Sequence, residues 1–242
     1  MCGRFASFRQ AQDLADAFAL TFVDDDAAEL PASWNVAPTD VLRLVVERPE
    51  RLEGGGKGAV ARQLRLARWG LVPSWAKDPS IGSKMFNARA ESVAEKPAFK
   101  RALAARRGIV PVEGYYEWQA RTGGGKQPLF IHAPDDGVLA LAALYEFWKD
   151  PTVPEDDPAR WLVTATILTR ASEGALTEIH DRQPVILPPG TWDAWLAPGT
   201  AAGEARSILQ VEPPELEATA VGAAVGRVSE NHPGLITPVE VV

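Results

Sequence analysis

At 242 residues, with 46% hydrophobic and 24% charged side chains, the chain has the make-up of a globular protein with room for one sizeable core. A formal net charge of -7 excludes a protein that coats duplex DNA, whose affinity rests on neutralising many phosphates, but leaves room for a local basic groove. One cysteine excludes an internal disulfide, and the three histidines are too scattered for metal-ligand spacing.

No apolar run nears the roughly 20 residues of a membrane span, and no signal-peptide core follows Arg4. An intracellular, cytoplasmic protein without metal or cofactor is expected. The chain opens Met1-Cys2-Gly3-Arg4-Phe5, with its single cysteine in second place. Removal of Met1 would leave Cys2 with an amine and a thiol on adjacent carbons. Their reference pKa values, about 7.7 to 8.0 and about 8.5, leave each partly nucleophilic at neutral pH. The competing reading of Cys2 is a small buried hydrophobe, the usual place of a free cysteine.

Residues 7–10 have capping-box spacing, and Ala11, Leu14, Ala15 and Phe18 share one face, which predicts a helix over 8–20. An acidic loop is expected at 24–29 and an extended stretch at 34–38, where Pro38 pushes the preceding residue out of the helical region. Strands at 41–46 and 60–69 flank a glycine-rich tip at 54–58 and read as a long hairpin. Loops dense in Trp, Asn and Arg follow. Pro97 then opens a helix that Arg106 and Arg107 are expected to finish at the negative end of its dipole.

Strands are predicted at 109–112 and 115–119, where period-two alternation sets Glu117 on the face opposite Tyr116 and Trp118, and then at 128–131 and 138–148. The acidic, proline-rich stretch 149–158 is the best candidate for an internal seam. Beyond it come a buried strand at 161–169, short helices near 176–179, 192–196 and 204–209, and terminal strands near 216–221 and 225–228. Among the eight tryptophans, Trp161, Trp192 and Trp195 are assigned to the core. Short glycine turns favour antiparallel neighbours, and helices do not alternate with strands. The expected fold is α+β: a single domain over 2–242 with a curved, largely antiparallel, barrel-like sheet and flanking short helices.

Four segments carry candidate chemistry: Met1-Cys2-Gly3-Arg4-Phe5, Asn87-Ala88-Arg89-Ala90-Glu91-Ser92, Gly114-Tyr115-Tyr116-Glu117-Trp118 and Ile179-His180-Asp181-Arg182-Gln183-Pro184. In order and approximate spacing they resemble the SRAP (SOS response-associated peptidase) family of abasic-site processing proteins. The resemblance runs from Cys2 to about Leu196, with fainter echoes at 225–229 and 235–238.

It implies a covalent thiazolidine between Cys2 and the ring-opened aldehyde of an abasic site in single-stranded DNA, with associated lyase and autoproteolytic, peptidase-like activity. It also implies roles for particular residues. Asn87 would orient the cysteine or the sugar, Glu117 would act as general acid and base, and His180 would help open the sugar ring. Arg4, Arg89 and Arg182 would hold phosphates, while Trp75 and Trp118 would meet bases. Ala76 stands where the family carries a second aromatic. The expected partner is abasic single-stranded DNA, met at damaged or replicating nucleoid DNA by a monomer. Two other readings stay open: an N-terminal-nucleophile amidohydrolase or peptidase, with Cys2 attacking an amide and Asn87 in an oxyanion hole, and a non-catalytic binder of single-stranded DNA.

Overall fold

The structure, a computed structural model, describes residues 2–51 and 56–240. The glycines Gly54 and Gly55 of the hairpin tip, and the fate of Met1, lie outside the described residues.

The chain begins with strand β1 (Phe5–Ser7), buried throughout. Pairing of Ser7 with Ser33 takes that serine away from helix capping, so helix α1 (Ala11–Phe18) is shorter than predicted and starts at Gln10 without a side-chain cap. It buries Leu14 and Phe18, as its apolar spacing requires. After β2 (Phe22–Val23), the expected acidic loop is a short helix instead, α2 (Asp25–Glu29). Asp25 and Asp26 sit at the positive end of the helix dipole, Ala27 is buried, and the buried Arg43 guanidinium donates to the carbonyls of Ala27 and Leu30.

Strand β3 (Ser33–Val36) then leads to the predicted hairpin, β4 (Val41–Arg51) and β5 (Lys57–Trp69), in register from Val41 opposite Arg68 to Pro49 opposite Val60, after which the register shifts and Arg51 meets Lys57. The loop to β6 (Asn87–Arg89) crosses itself at Gly70 and Gly82, where a Cβ on either glycine would stand 2.5 Å from the other's backbone oxygen. Helix α3 (Pro97–Ala105) ends earlier than predicted, and Arg107 opens β7 (Arg107–Val112). From the strand its guanidinium still donates to the carbonyls of Leu103 and Ala104. The expected interaction with the helix end is kept.

Strands β8 (Gly114–Ala120), β9 (Lys126–His132), β10 (Leu139–Lys149) and β11 (Trp161–Ala171) follow. Because β10 and β11 pair antiparallel from Ala143–Ile167 to Lys149–Trp161, the stretch 149–158 is a hairpin connection within one sheet and not a seam. Strand β12 (Arg182–Pro184), helices α4 (Trp192–Leu196) and α5 (Ala202–Ile208) and strand β13 (Glu217–Ala220) complete the elements. The strand expected at 225–228 is absent: a 3-10 turn, Ala223–Gly226, stands there, because the Val225 carbonyl is taken by side chains rather than by a ladder.

Strands β11, β10, β7, β4 and β5 are linked in sequence by antiparallel ladders, and β5 returns to β11 through a parallel pair, Arg68 with Thr164 and Trp69 with Ala165. A barrel results. Its interior holds Leu42, Leu44, Val110, Leu141, Ala143 and Ile167, while the helices cover the outside around Leu14, Leu103 and Trp195. A second sheet in the order β13-β9-β8-β1-β3 lays Phe5 and Tyr115 onto the barrel core, and its other face, with Tyr116 and Phe130, packs against Val221, Val225 and Leu235. The chain passes between the sheets at Gly114, where a Cβ would lie 2.4 Å from the Phe130 ring and 2.7 Å from the Ile131 carbonyl oxygen. The architecture is α+β with a largely antiparallel, barrel-like core. No described helix is long and apolar enough to cross a membrane.

Of the tryptophans assigned to the core, Trp195 is fully buried and Trp192 stacks on Phe18 at 4.4 Å. Trp161 departs from the expectation at 52% exposure, because it starts β11 at the open end of the barrel.

Candidate active site

Cys2 is held between two strands. Pairing of Phe5 with Tyr115, and the hydrogen bond from the Tyr116 amide to the Arg4 carbonyl, lay the first residues along β8. From the other side β6, parallel to β11 with Asn87 opposite Ile167, sends the Asn87 side-chain amide to the Cys2 carbonyl at 2.6 Å. The Asn87 Oδ1 is buried and has no hydrogen-bond partner among the described residues. Trp69 forms the neighbouring aromatic wall, with its ring 4.9 Å from Phe5 and 5.8 Å from Phe86 and its indole N–H donating to the Phe86 carbonyl.

Cys2 itself is 0% exposed. Burial, and after it the negative charge of Glu117, push its thiol far above the ordinary range. The Tyr115 hydroxyl is also pushed well up, first by burial and then by Cys2 and Glu117. Three groups thus share one enclosed space. Glu117 is 4% exposed and lies on the face of β8 shared with Tyr115, opposite Tyr116 and Trp118 as alternation predicts. Both faces of this strand are covered, so Glu117 is not a solvent-facing carboxylate.

His180 follows a 3-10 turn, Gly174–Glu178, tied to β8 by the Gln119 side chain donating to the Glu178 carbonyl. Leu176 and Ile179 of this segment pack on the cluster that contains Cys2. The half-buried His180 ring accepts the Arg182 amide at Nδ1, and the same nitrogen lies 2.8 Å from Asp181 Oδ1. A bare Nδ1 serves the first contact and an Nδ1–H serves the second, so the position of the ring proton decides which one forms.

The remaining predicted residues divide by exposure. Trp75 stands 61% exposed on a loop fixed by the Trp148 indole donating to the Ala76 carbonyl. Arg89 is exposed and its side chain has no hydrogen bond or ion pair among the described residues. Arg4 and Arg182, by contrast, have partners inside the protein. Arg4 donates to Asn35 Oδ1 at 2.8 Å and to the Val225 carbonyl at 2.9 Å, which straps the C-terminal segment over β1 and β3. Arg182 grips both oxygens of Glu91, at 2.7 and 2.9 Å, and holds that carboxyl down at about 2. Trp118 is half-buried and faces the cluster of Tyr116 and Phe130.

Sequence reasoning did not single out Tyr115, although its place two residues before Glu117 on a strand puts both on one face. It also missed Asn35, whose amide donates to the carbonyls of Arg227 and Glu230, and no local pattern signals a contact across so many residues.

A cysteine enclosed near the start of the chain, with a carboxylate beside it and an amide on its carbonyl, defines a protein built around one nucleophile. Comparison with known proteins is specific on this point. The SOS response associated peptidase (SRAP) family matches residues 1–228, and the chain belongs to that family. It is 36% identical over 239 residues to the abasic site processing protein YoqW of Bacillus subtilis, covering 98% of this chain and 99% of the relative. To the abasic site processing protein YedK of Escherichia coli it is 31% identical over 248 residues, covering 99% of this chain and 100% of the relative. A crystal structure of a protein from Bacteroides thetaiotaomicron shares the fold with a TM-score of 0.82 at 22% identity, covering 99% of this chain and 100% of that one.

Proposed function

We propose that this protein processes abasic sites in single-stranded DNA by joining Cys2, freed of Met1, to the ring-opened sugar as a thiazolidine. The observation that carries the reading is the juxtaposition of a fully buried thiol with Glu117, while Asn87 grips the Cys2 carbonyl at 2.6 Å.

The chemistry follows from the protonation states. A thiol held far above its ordinary pKa stays protonated at neutral pH, so it cannot attack as a thiolate unaided. The α-amine attacks first, adding to the C1′ aldehyde and expelling water as an imine. Sulfur then adds to the imine carbon while its proton passes by way of Glu117 to the nitrogen, closing a five-membered ring with net loss of one water. Asn87 fixes the Cys2 backbone so that amine and sulfur approach one carbon together, and its Oδ1 is placed to accept from the amine or a sugar hydroxyl. His180, whose Nδ1 can accept from the Arg182 amide or donate to Asp181, suits proton transfer during sugar opening. Lyase chemistry draws on the same imine, which acidifies the adjacent carbon and permits loss of the 3′ phosphate.

On the DNA side, exposed Trp75 and Arg89 supply a stacking surface and a phosphate contact, while Arg4, Arg182 and Trp118 shape the walls and meet the strand only at their exposed edges. An amidohydrolase is less well supported, because one of the two Asn87 N–H donors is spent on the Cys2 carbonyl, which leaves that side chain a single donor for an oxyanion hole. The test is intact mass after incubation with abasic single-stranded DNA. The expected product lacks Met1 and carries the strand less one water, and Cys2→Ala forms none. An active protein that retains Met1 refutes the proposal.

A further inference from the structure

Strand β8 carries two buried tyrosines, and they are used differently. Tyr116 faces Val221, Val225 and Leu235, and its hydroxyl donates to the Trp34 carbonyl at 2.7 Å. Tyr115 faces the barrel side, 1% exposed, in the cluster that holds Cys2, Phe5 and Trp69. Its ring fills apolar space that phenylalanine would fill as well, yet it carries a hydroxyl with no hydrogen bond among the described residues. Burying a polar group without a partner costs stability, so packing does not account for this oxygen.

The surroundings of the hydroxyl are those of the reaction. Burial first, and then the charges of Cys2 and Glu117, push it well above the ordinary range. Residues two apart on a strand stand about 7 Å apart on one face, so Tyr115 and Glu117 flank one small volume. The register that sets Phe5 opposite Tyr115 brings the start of the chain alongside. At neutral pH the phenol keeps its proton, which makes it a hydrogen-bond donor at the site and not a base.

The reaction proposed above calls for such a donor, and this inference rests on that reading. As the Cys2 amine forms its bond to C1′, the carbonyl electron pair moves onto the aldehyde oxygen, which gains negative charge before it leaves as water. Both protons of that water come from the nitrogen, carried by Glu117. An ionised Glu117 repels the charged oxygen, and Asn87 has already spent one N–H on the Cys2 carbonyl.

We propose that the Tyr115 hydroxyl is a further catalytic group, donating a hydrogen bond to the aldehyde oxygen while the Cys2 amine adds and until that oxygen departs. Tyr115 neither gains nor loses a proton in the step. It holds the charge that Glu117 then neutralises.

The test is Tyr115→Phe, which removes one oxygen and keeps the ring. Borohydride trapping of the imine with abasic single-stranded DNA, in a single turnover, should be about 10²-fold slower than in wild type. The same loss should appear when Tyr115→Phe is added to Cys2→Ala, whose N-terminal amine still forms an imine but has no sulfur to close the ring. The factor should be constant between about pH 6 and about pH 9, with affinity for undamaged strand unchanged. Thermal melting should match or exceed wild type, because a buried hydroxyl without a partner is gone. A trapping rate within about twofold of wild type overturns the proposal. So does a loss seen only when Cys2 is present, which assigns the hydroxyl to the sulfur, or a changed pH profile, which makes it a base. A lower melting temperature also overturns it, by giving the hydroxyl a structural role. Wild-type protein that forms no adduct defeats the abasic-site reading itself, whereas equal reaction of wild type and Tyr115→Phe defeats the role of Tyr115 alone.

Discussion

Replacing Asn87 by alanine probes the part of the site that is read most directly from geometry. The wild-type side chain donates to the Cys2 carbonyl at 2.6 Å, and this is the described link between β6 and the reactive residue. Alanine removes the donor and leaves the carbonyl of a fully buried residue without it. Losing a buried hydrogen-bond partner costs about 1 to 3 kcal/mol, which in a rate is about 5- to 150-fold. The loss should fall on crosslinking and not on strand affinity, because the exposed Trp75 and Arg89 are untouched. Single-turnover reaction with abasic single-stranded DNA, quenched and resolved under denaturing conditions, measures the first, and binding to undamaged strand measures the second. Asn87→Asp should do worse than alanine, since it opposes an acceptor to the Cys2 carbonyl and adds a second negative charge to that of Glu117. A crosslinking rate within about twofold of wild type for Asn87→Ala, at unchanged affinity, would refute the positioning argument.

Other outcomes follow from single contacts. Glu117→Gln should slow crosslink formation and exchange of a preformed adduct by about 10² to 10⁴-fold, with strand affinity nearly intact, and equal exchange rates would move the proton-transfer role to His180. Because the charge of Glu117 helps hold the Cys2 thiol up, the same change should lower that thiol's pKa, read from the pH dependence of alkylation. Glu91 is held at about 2 by Arg182, below the ordinary value of about 4.3, so its contribution to stability is present above the ordinary value and lost as pH falls toward 2. Denaturant unfolding between neutral and acid pH should show a decline that is shallower in Glu91→Gln. Gly82→Ala puts a Cβ 2.5 Å from the Gly70 carbonyl oxygen and should lower stability by about 1 to 3 kcal/mol, measured by thermal melting.

Local pattern carried a good part of this structure. The alternation through Tyr115 to Trp118 placed Glu117 opposite its aromatic neighbours, and the apolar spacing of Leu14 and Phe18 placed a buried helix, because both signals lie within a few residues. Where local and distant interactions competed, the distant ones won. Ser7 looks like a cap but is claimed by Ser33, and Val225 looks like a strand residue but gives its carbonyl to Arg4 and Asn35. The acidic stretch after Asp24 looked like a loop because nothing near it announced that Arg43 would cap a helix there.

The sequence by itself determined that one cysteine is set among motif residues, that the chain holds no disulfide, and that short turns would join many antiparallel strands. It also named Asn87, Glu117 and His180, since residue types in a fixed order are a local property. Only the tertiary structure decided that Asn87 reaches Cys2 across 85 residues, that Glu117 is buried at the thiol, and that Arg4 and Arg182 are engaged within the protein. It alone decided that the barrel closes through a single short parallel pair and stays open below it. These depend on which strands become neighbours, and strand pairing joins residues far apart in sequence through backbone groups that every residue carries alike.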